Sequence, residues 1–74
     1  MTLKAYEIGI FNADVRRLNE EGESHPEFED SWADMHYIEV RARDDDNALA
    51  QIERRFPKRK GFVINDFVCL TEFE

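Results

Sequence analysis

The residues that could carry chemistry are few in this chain of 74 residues: two histidines, one cysteine and 17 acidic side chains. His25 and His36 could coordinate a metal ion, but no neighbouring carboxylate or thiol stands at a spacing typical of a metal site. His36 falls in a predicted strand with its side chain toward the core, and we interpret it as a hydrogen-bonded residue at the core edge. No metal and no cofactor are expected.

Nucleophilic catalysis has no support in the pattern either. Cys69 is the single thiol and lies between Val68 and Leu70 in a predicted strand, without a histidine partner. A reactive cysteine needs an electropositive, exposed setting or a nearby base.

The aspartates at 44–46 lack the glycine and closing glutamate of a calcium loop, so we interpret them as a helix cap. We therefore predict a protein that is not an enzyme.

Charge is strongly segregated along the chain, whose formal net charge is −7. Residues 20–34 contain seven acids and no base, whereas residues 54–60 contain five bases and no acid. Complementary poles of this kind suit a protein partner, or a contact between the two poles of one chain. The alternative is that each run is a solvated loop or helix end.

The bases form a candidate patch for phosphate groups, with Tyr37 as a neighbouring aromatic residue. The patch consists of Arg41, Arg43, Arg54, Arg55, Lys58, Arg59 and Lys60. The net charge of −7 opposes contact with a polyanion at long range, and cations at the end of a helix also complement its dipole. The alternative function is a regulator of nucleic-acid machinery, by this basic contact or by acidic mimicry of DNA through residues 20–34 and 44–46.

The composition predicts one globular domain over residues 1–74. An apolar content of 42% is too high for a disordered acidic tail, and a single cysteine excludes an internal disulfide. No apolar run approaches the roughly 20 residues that span a bilayer, and the first residues do not resemble a signal peptide. We expect a cytoplasmic protein without membrane contact.

Apolar and polar residues alternate over residues 3–11, which predicts a strand. Asn12 or Asp14 can cap a short helix that follows, and Gly22 is placed to end it. The residues at 24–27 have the spacing of a capping box and predict a second short helix at about 25–33.

The clearest strand covers residues 35–43, and the aspartates that follow it cap a helix that runs to about Phe56. Gly61 opens the last strand, in which residues 65–66 interrupt the alternation. We predict one long strand with a bulge there, in the centre of the sheet or with its second face covered.

The predicted fold is an α+β two-layer sandwich: a three-stranded sheet with its helices on one face, in the order β-α-(short α)-β-α-β. A right-handed crossover through residues 44–60 joins the second and third strands, and the first strand lies between them or at an edge. Beneath the helices we expect Tyr6, Ile8, Ile10, Ile38, Val40, Ile64, Val68 and Leu70. On the helix-free face we expect Leu3, Phe11, Tyr37, Phe67, Cys69 and Phe73.

Monomers seldom expose a large contiguous apolar patch, so the helix-free face is a predicted interface, most simply that of a symmetric homodimer. Alternatively, the segment 23–34 covers Phe67 and Phe73 within the monomer. The primary functional hypothesis is a non-enzymatic interaction module that binds itself or another protein through this apolar face and its charged poles.

Overall fold

The computed structural model describes residues 3–70 of the chain. Its main elements are β1 (Lys4–Asn12), α1 (Ala13–Glu20), β2 (His36–Ala42), α2 (Asp45–Arg55) and β3 (Phe62–Cys69). Two short 3-10 helices, Asp30–Ala33 and Lys58–Lys60, precede β2 and β3. The predicted α+β class and the order of its strands and longer helices are confirmed.

The first strand forms the centre of the sheet, whose order is β2-β1-β3. β1 is antiparallel to both neighbours, so β2 and β3 run parallel to each other on either side of it. In the described chain β3 is therefore an edge strand, which excludes the first of its two predicted alternatives, a position in the centre of the sheet. A central position therefore does not explain why β3 carries apolar residues on both of its faces.

The core lies between one face of the sheet and α2. Tyr6, Ile8 and Ile10 of β1 have no exposed surface, and burial of such a side chain stabilises the fold by about 1.5–3 kcal/mol. The buried cluster comprises Tyr6, Ile8, Ile10, Val40, Ala42, Ala48, Ile52 and Phe62. Helical cover of this face comes from α2, while α1 packs mainly against the 3-10 helix Asp30–Ala33.

Buried Asn12 connects β1 and α1. Its Oδ1 accepts hydrogen bonds from the backbone N–H groups of Asp14 (2.9 Å) and Val15 (3.0 Å), which confirms the predicted cap. Its Nδ2 donates to the carbonyl of Lys60 at 3.0 Å, so the same side chain holds the turn before β3. At the other end of α1, Gly22 has a φ of 79° and ends the helix as predicted.

The helix predicted over residues 25–33 is wrong, because only Asp30–Ala33 is helical and it is a 3-10 turn. Nδ1 of His25 accepts hydrogen bonds from the backbone N–H groups of Glu27 (2.9 Å) and Phe28 (3.3 Å). These bonds have the pattern of a helix N-cap in place of the expected capping box, but residues 27–29 do not continue as a helix.

The predicted bulge in β3 is present at Asn65. Along β1, Gly9 lies opposite Asp66 and Ile10 lies opposite Ile64, so Asn65 has no partner residue in β1. One extra residue reverses the face to which all later side chains of the strand point.

The bulge moves the residues after it to faces opposite to those predicted. Phe67 and Cys69 pair with core residues of β1 and pack against the buried cluster, and the Phe67 ring lies 5.4 Å from that of Tyr6. The prediction that Phe67 and Cys69 lie on the helix-free face is therefore wrong. Val68 and Leu70, which were expected in the core, lie on the helix-free face.

Candidate functional site

The sheet face opposite the core carries the large apolar side chains that the described chain leaves exposed, and we call it the open face. These are Leu3 (54% exposed), Tyr37 (57%), Val68 (49%) and Leu70 (50%). Tyr37 lies opposite Gly9 and Val68 opposite Glu7. Scattered apolar side chains are normal on a protein surface, but these four share one face.

Three carboxylates occupy the middle of the open face. Glu7 and Glu39 are direct cross-strand partners, and Asp66 follows on β3. Like charges in this position lie about 4.5–5.5 Å apart at Cβ and destabilise the sheet. In the described chain none of the three forms an ion pair, and Arg41 is the single base that strand residues place on this face. The open face is thus apolar at its ends and acidic in its centre.

Gly9 lies in the middle of β1 on the open face and presents no side chain there. A Cβ atom there would come within 2.5 Å of Met35 Cε and 3.0 Å of Tyr37 Cε1. The absence of a side chain lets Met35 and Tyr37 lie over β1, so they extend the apolar surface across the sheet.

Phe11 closes one end of the open face and is covered by its own chain. The Arg16 guanidinium carbon lies 3.8 Å from the centre of the Phe11 ring, and Arg16 Nε donates to the carbonyl of Ala33 at 2.9 Å. A partner would therefore meet Arg16 before the ring of Phe11.

Some residues of the predicted interface lie on the open face, and other residues occupy the remainder of that face. Leu3 and Tyr37 lie exposed on the open face, Phe11 is half-buried at its end, and Phe73 lies outside the described residues. Val68 and Leu70 are open-face residues that sequence reasoning missed. The signal was available, because a bulge at 65–66 requires the face assignment to change after it.

The predicted basic patch divides into two groups at opposite ends of α2. Arg41 and Arg43 precede the helix, whereas Arg54 and Arg55 end it and Lys58–Lys60 follow. A helix of 11 residues separates its ends by about 16 Å. The seven bases therefore do not form one continuous surface, and Tyr37 accompanies only the first group.

The second basic group borders a cavity of 390 Å³ with aromatic walls, which we call the basic aromatic pocket. Its lining consists of Phe28, Trp32, Arg54, Arg55, Phe56, Pro57, Arg59, Lys60 and Phe62. The Phe62 ring forms edge contacts with Trp32 at 5.2 Å and Phe56 at 5.3 Å. Phe28 and Trp32 stand four residues apart in the chain, and both line the pocket beside the bases.

The acidic segment lies against the basic one within the same chain. Lys60 Nζ is 3.9 Å from Glu27 Oε2, between two half-exposed side chains, and such a pair contributes about 0–1 kcal/mol. His36 stacks on Trp32 at 3.9 Å and contacts the carbonyl of Ser31 at 3.0 Å through Nε2. These contacts confirm its interpretation as a hydrogen-bonded residue at the core edge.

A second groove, of 630 Å³, runs between α2 and the outer edge of β3. Its lining consists of Ala13, Leu49, Glu53, Lys58, Gly61, Phe62, Val63 and Ile64. The walls are mostly apolar, and they carry one acid and one base but no histidine, thiol or hydroxyl side chain. This composition suits contact with another surface better than acid–base or nucleophilic chemistry.

The Tyr6 hydroxyl is fully buried in the core, and its Oη has no hydrogen-bond partner of regular geometry among the described residues. Burial raises the pKa of Tyr6 above its ordinary value of 10.0, and the neighbouring Asp45 carboxylate raises it further. The hydroxyl is therefore neutral at physiological pH.

Over residues 3–70, no three histidine, cysteine or acidic side chains are arranged to hold a metal ion. The helices of the same segment are too short or too polar to cross a membrane. Comparison of the chain with protein-family models, with curated proteins and with solved structures finds no match.

Proposed function

We propose that the protein is a non-enzymatic interaction module that binds a protein partner through the open face, and that the contacting surface of the partner is apolar and positively charged. The observation that carries this proposal is the placement of Leu3, Tyr37, Val68 and Leu70 on one face of the sheet, each about half exposed. We also propose the cytoplasm as its location, in keeping with a chain whose single cysteine cannot form an internal disulfide.

The apolar side chains supply the contact area for a partner. Tyr37 is the natural anchor, because tyrosine is enriched among the residues that dominate binding energy at interfaces. Val68 and Leu70 belong to the edge strand and its end, so a partner could also reach the outer backbone groups of β3.

The charge of the open face favours a cationic partner over a second copy of the chain. Glu7, Glu39 and Asp66 occupy the centre of this face. The bases lie toward its ends: Arg41 on β2, Arg43 directly after β2 on the same alternation, and Arg16 over the ring of Phe11. Two copies stacked on these faces would bring the six central carboxylates into one interface, and unpaired charge is costly to bury. Lysine or arginine side chains on a partner would instead neutralise the Glu7–Glu39 pair.

Titration with two labelled peptides tests the proposal. One peptide alternates leucine with lysine, and the other alternates leucine with glutamate. We expect the lysine peptide to bind more tightly and its binding to weaken as salt is raised. The double substitution Glu7→Gln, Glu39→Gln should weaken it by about tenfold. Glu20→Gln, an exposed change at the end of α1, is the matched control and should leave binding unchanged.

Light scattering of the protein alone distinguishes the partner types. We expect a monomer of 8.8 kDa. A dimer that Val68→Ser, Leu70→Ser converts to a monomer would show that the open face binds a second copy. Equal binding of the two peptides would contradict the role of the carboxylates.

A further inference from the structure

The basic aromatic pocket differs from the rest of the surface in its charge. The protein carries a net charge of −7, yet no acidic residue lines this cavity, whereas Arg54, Arg55, Arg59 and Lys60 do. Among the described residues the three arginines form no ion pair, and Lys60 has a single long contact with Glu27. Their positive charge is therefore available to an anion.

The walls of the pocket are suited to a planar ring. Phe28, Trp32 and Phe56 line the pocket and are half-buried, His36 stacks on one face of Trp32 at 3.9 Å, and Phe62 is 5% exposed. Arg55 already lies over the Phe56 ring at 5.3 Å, in the arrangement by which guanidinium groups stack on aromatic faces. Stacking on an aromatic side chain accepts any base, because every base has a π-face.

The size of the pocket suits a small ligand or one unit of a chain. Its 390 Å³ falls within the range of about 300–1,000 Å³ for small-molecule sites. A duplex presents its bases stacked and paired, so it offers no single ring to a concave site of this size. An unstacked base with its phosphate offers such a ring.

We propose that the basic aromatic pocket binds a nucleotide, with the base against Phe28, Trp32 and Phe56 and the phosphate at Arg54, Arg59 and Lys60. The nucleotide could be free or could belong to a single-stranded nucleic acid, since the recognised chemistry is the same. The proposal concerns a surface on the core side of the sheet and is independent of the open face.

The chain contains a single tryptophan, so the fluorescence of Trp32 reports occupancy of this pocket directly. The probes are AMP, adenosine, inorganic phosphate, TMP and a short oligothymidylate. AMP should change the fluorescence at a lower concentration than adenosine or phosphate, because only AMP carries both groups. Tighter binding of the oligothymidylate than of TMP would identify single-stranded nucleic acid as the source, and equal binding would identify the free nucleotide.

Substitutions separate the pocket from general electrostatic attraction. Arg54→Gln, Arg59→Gln should weaken AMP binding by about tenfold. Lys58→Gln is the matched control, because Lys58 is an exposed base of the same segment that lines the other groove. It should change binding by less than about twofold.

Three results would overturn the proposal. The first is that neither AMP nor the oligothymidylate changes the fluorescence up to millimolar concentration, and the second is that Lys58→Gln weakens AMP binding as much as the double substitution does. The third is that a glutamate–tyrosine peptide competes for the pocket as well as AMP does. The last result would assign the pocket to an acidic protein segment. Circular dichroism of each variant checks that the fold is retained.

Discussion

The two faces of the sheet are built from alternating residues of the same three strands, yet they differ in what covers them. On the core face, Ile8 and Ile10 have no exposed surface, whereas Val68 and Leu70 on the open face are 49% and 50% exposed. α2 packs on the first face, and no helix of the described chain packs on the centre of the second. Core-face side chains therefore hold the fold, and open-face side chains are available to a partner.

The largest expected effect belongs to the centre of the core face. Ile8→Ala should destabilise the protein by about 2–5 kcal/mol, because it removes buried methyl groups and leaves a cavity. Urea denaturation followed by circular dichroism measures the loss. Val68→Ala, on the open face of the neighbouring strand, is the control and should change stability by less than about 1 kcal/mol. Similar losses in the two variants would mean that both faces are packed.

Phe67 sharpens the comparison, because it distinguishes the faces on either side of the bulge. Phe67→Ala should cost about 2 kcal/mol of unfolding free energy, since the half-buried ring packs beside Tyr6. Leu70→Ala should cost about 0.5 kcal/mol and should weaken binding of the lysine peptide. If Phe67→Ala left stability intact and weakened peptide binding, the face assignment after Asn65 would be incorrect.

Asn12 tests the junction that positions the basic aromatic pocket against the sheet. Asn12→Ala should cost about 1–2 kcal/mol, because it leaves the α1 cap and the Lys60 carbonyl without their bonds. Asp44→Ala removes an exposed cap with one backbone bond, to Asn47 at 2.8 Å, and should cost less. An equal loss of unfolding free energy in the two variants would indicate that burial of the Asn12 side chain does not add to the stability that its hydrogen bonds provide.

The smallest effect is a pH dependence that arises on the core face. The pKa of Tyr6 is raised in the folded protein, so above pH 10 the unfolded chain loses this proton first and stability falls as pH rises. Tyr6→Phe removes the buried hydroxyl and should flatten the decline of Tm in alkaline solution. An unchanged decline in the Tyr6→Phe variant would contradict this origin of the pH dependence.

Much of the fold could be predicted because its signals are local. The alternation in β1, the Asn12 cap, the stop at Gly22 and the interruption at residues 65–66 each depend on a few neighbouring residues. The strand order could not be predicted in this way, because pairing of β1 with both other strands is a long-range property. The helix predicted over 25–33 is reduced to the 3-10 turn Asp30–Ala33, although Nδ1 of His25 accepts the two backbone bonds that a helix cap would accept.

The candidate surfaces were harder to predict than the elements that form them. The bulge at residues 65–66 was predicted, but Phe67 and Val68 were assigned to faces as if the alternation continued through it, and the extra residue reverses them. The pocket depends on Trp32 folding back against Phe62, two residues 30 positions apart in the chain. Neither periodicity nor composition reports such a contact.

The most direct test of the open face as a docking surface is an amide-shift titration of the isotope-labelled protein with the leucine–lysine peptide. We predict that the largest shifts fall on Glu7, Tyr37 and Val68, and that Val68→Ser, Leu70→Ser abolishes them while the other amide signals keep their native positions. Shifts centred on residues 54–60, or an unchanged titration of the double variant, would contradict the proposed docking surface.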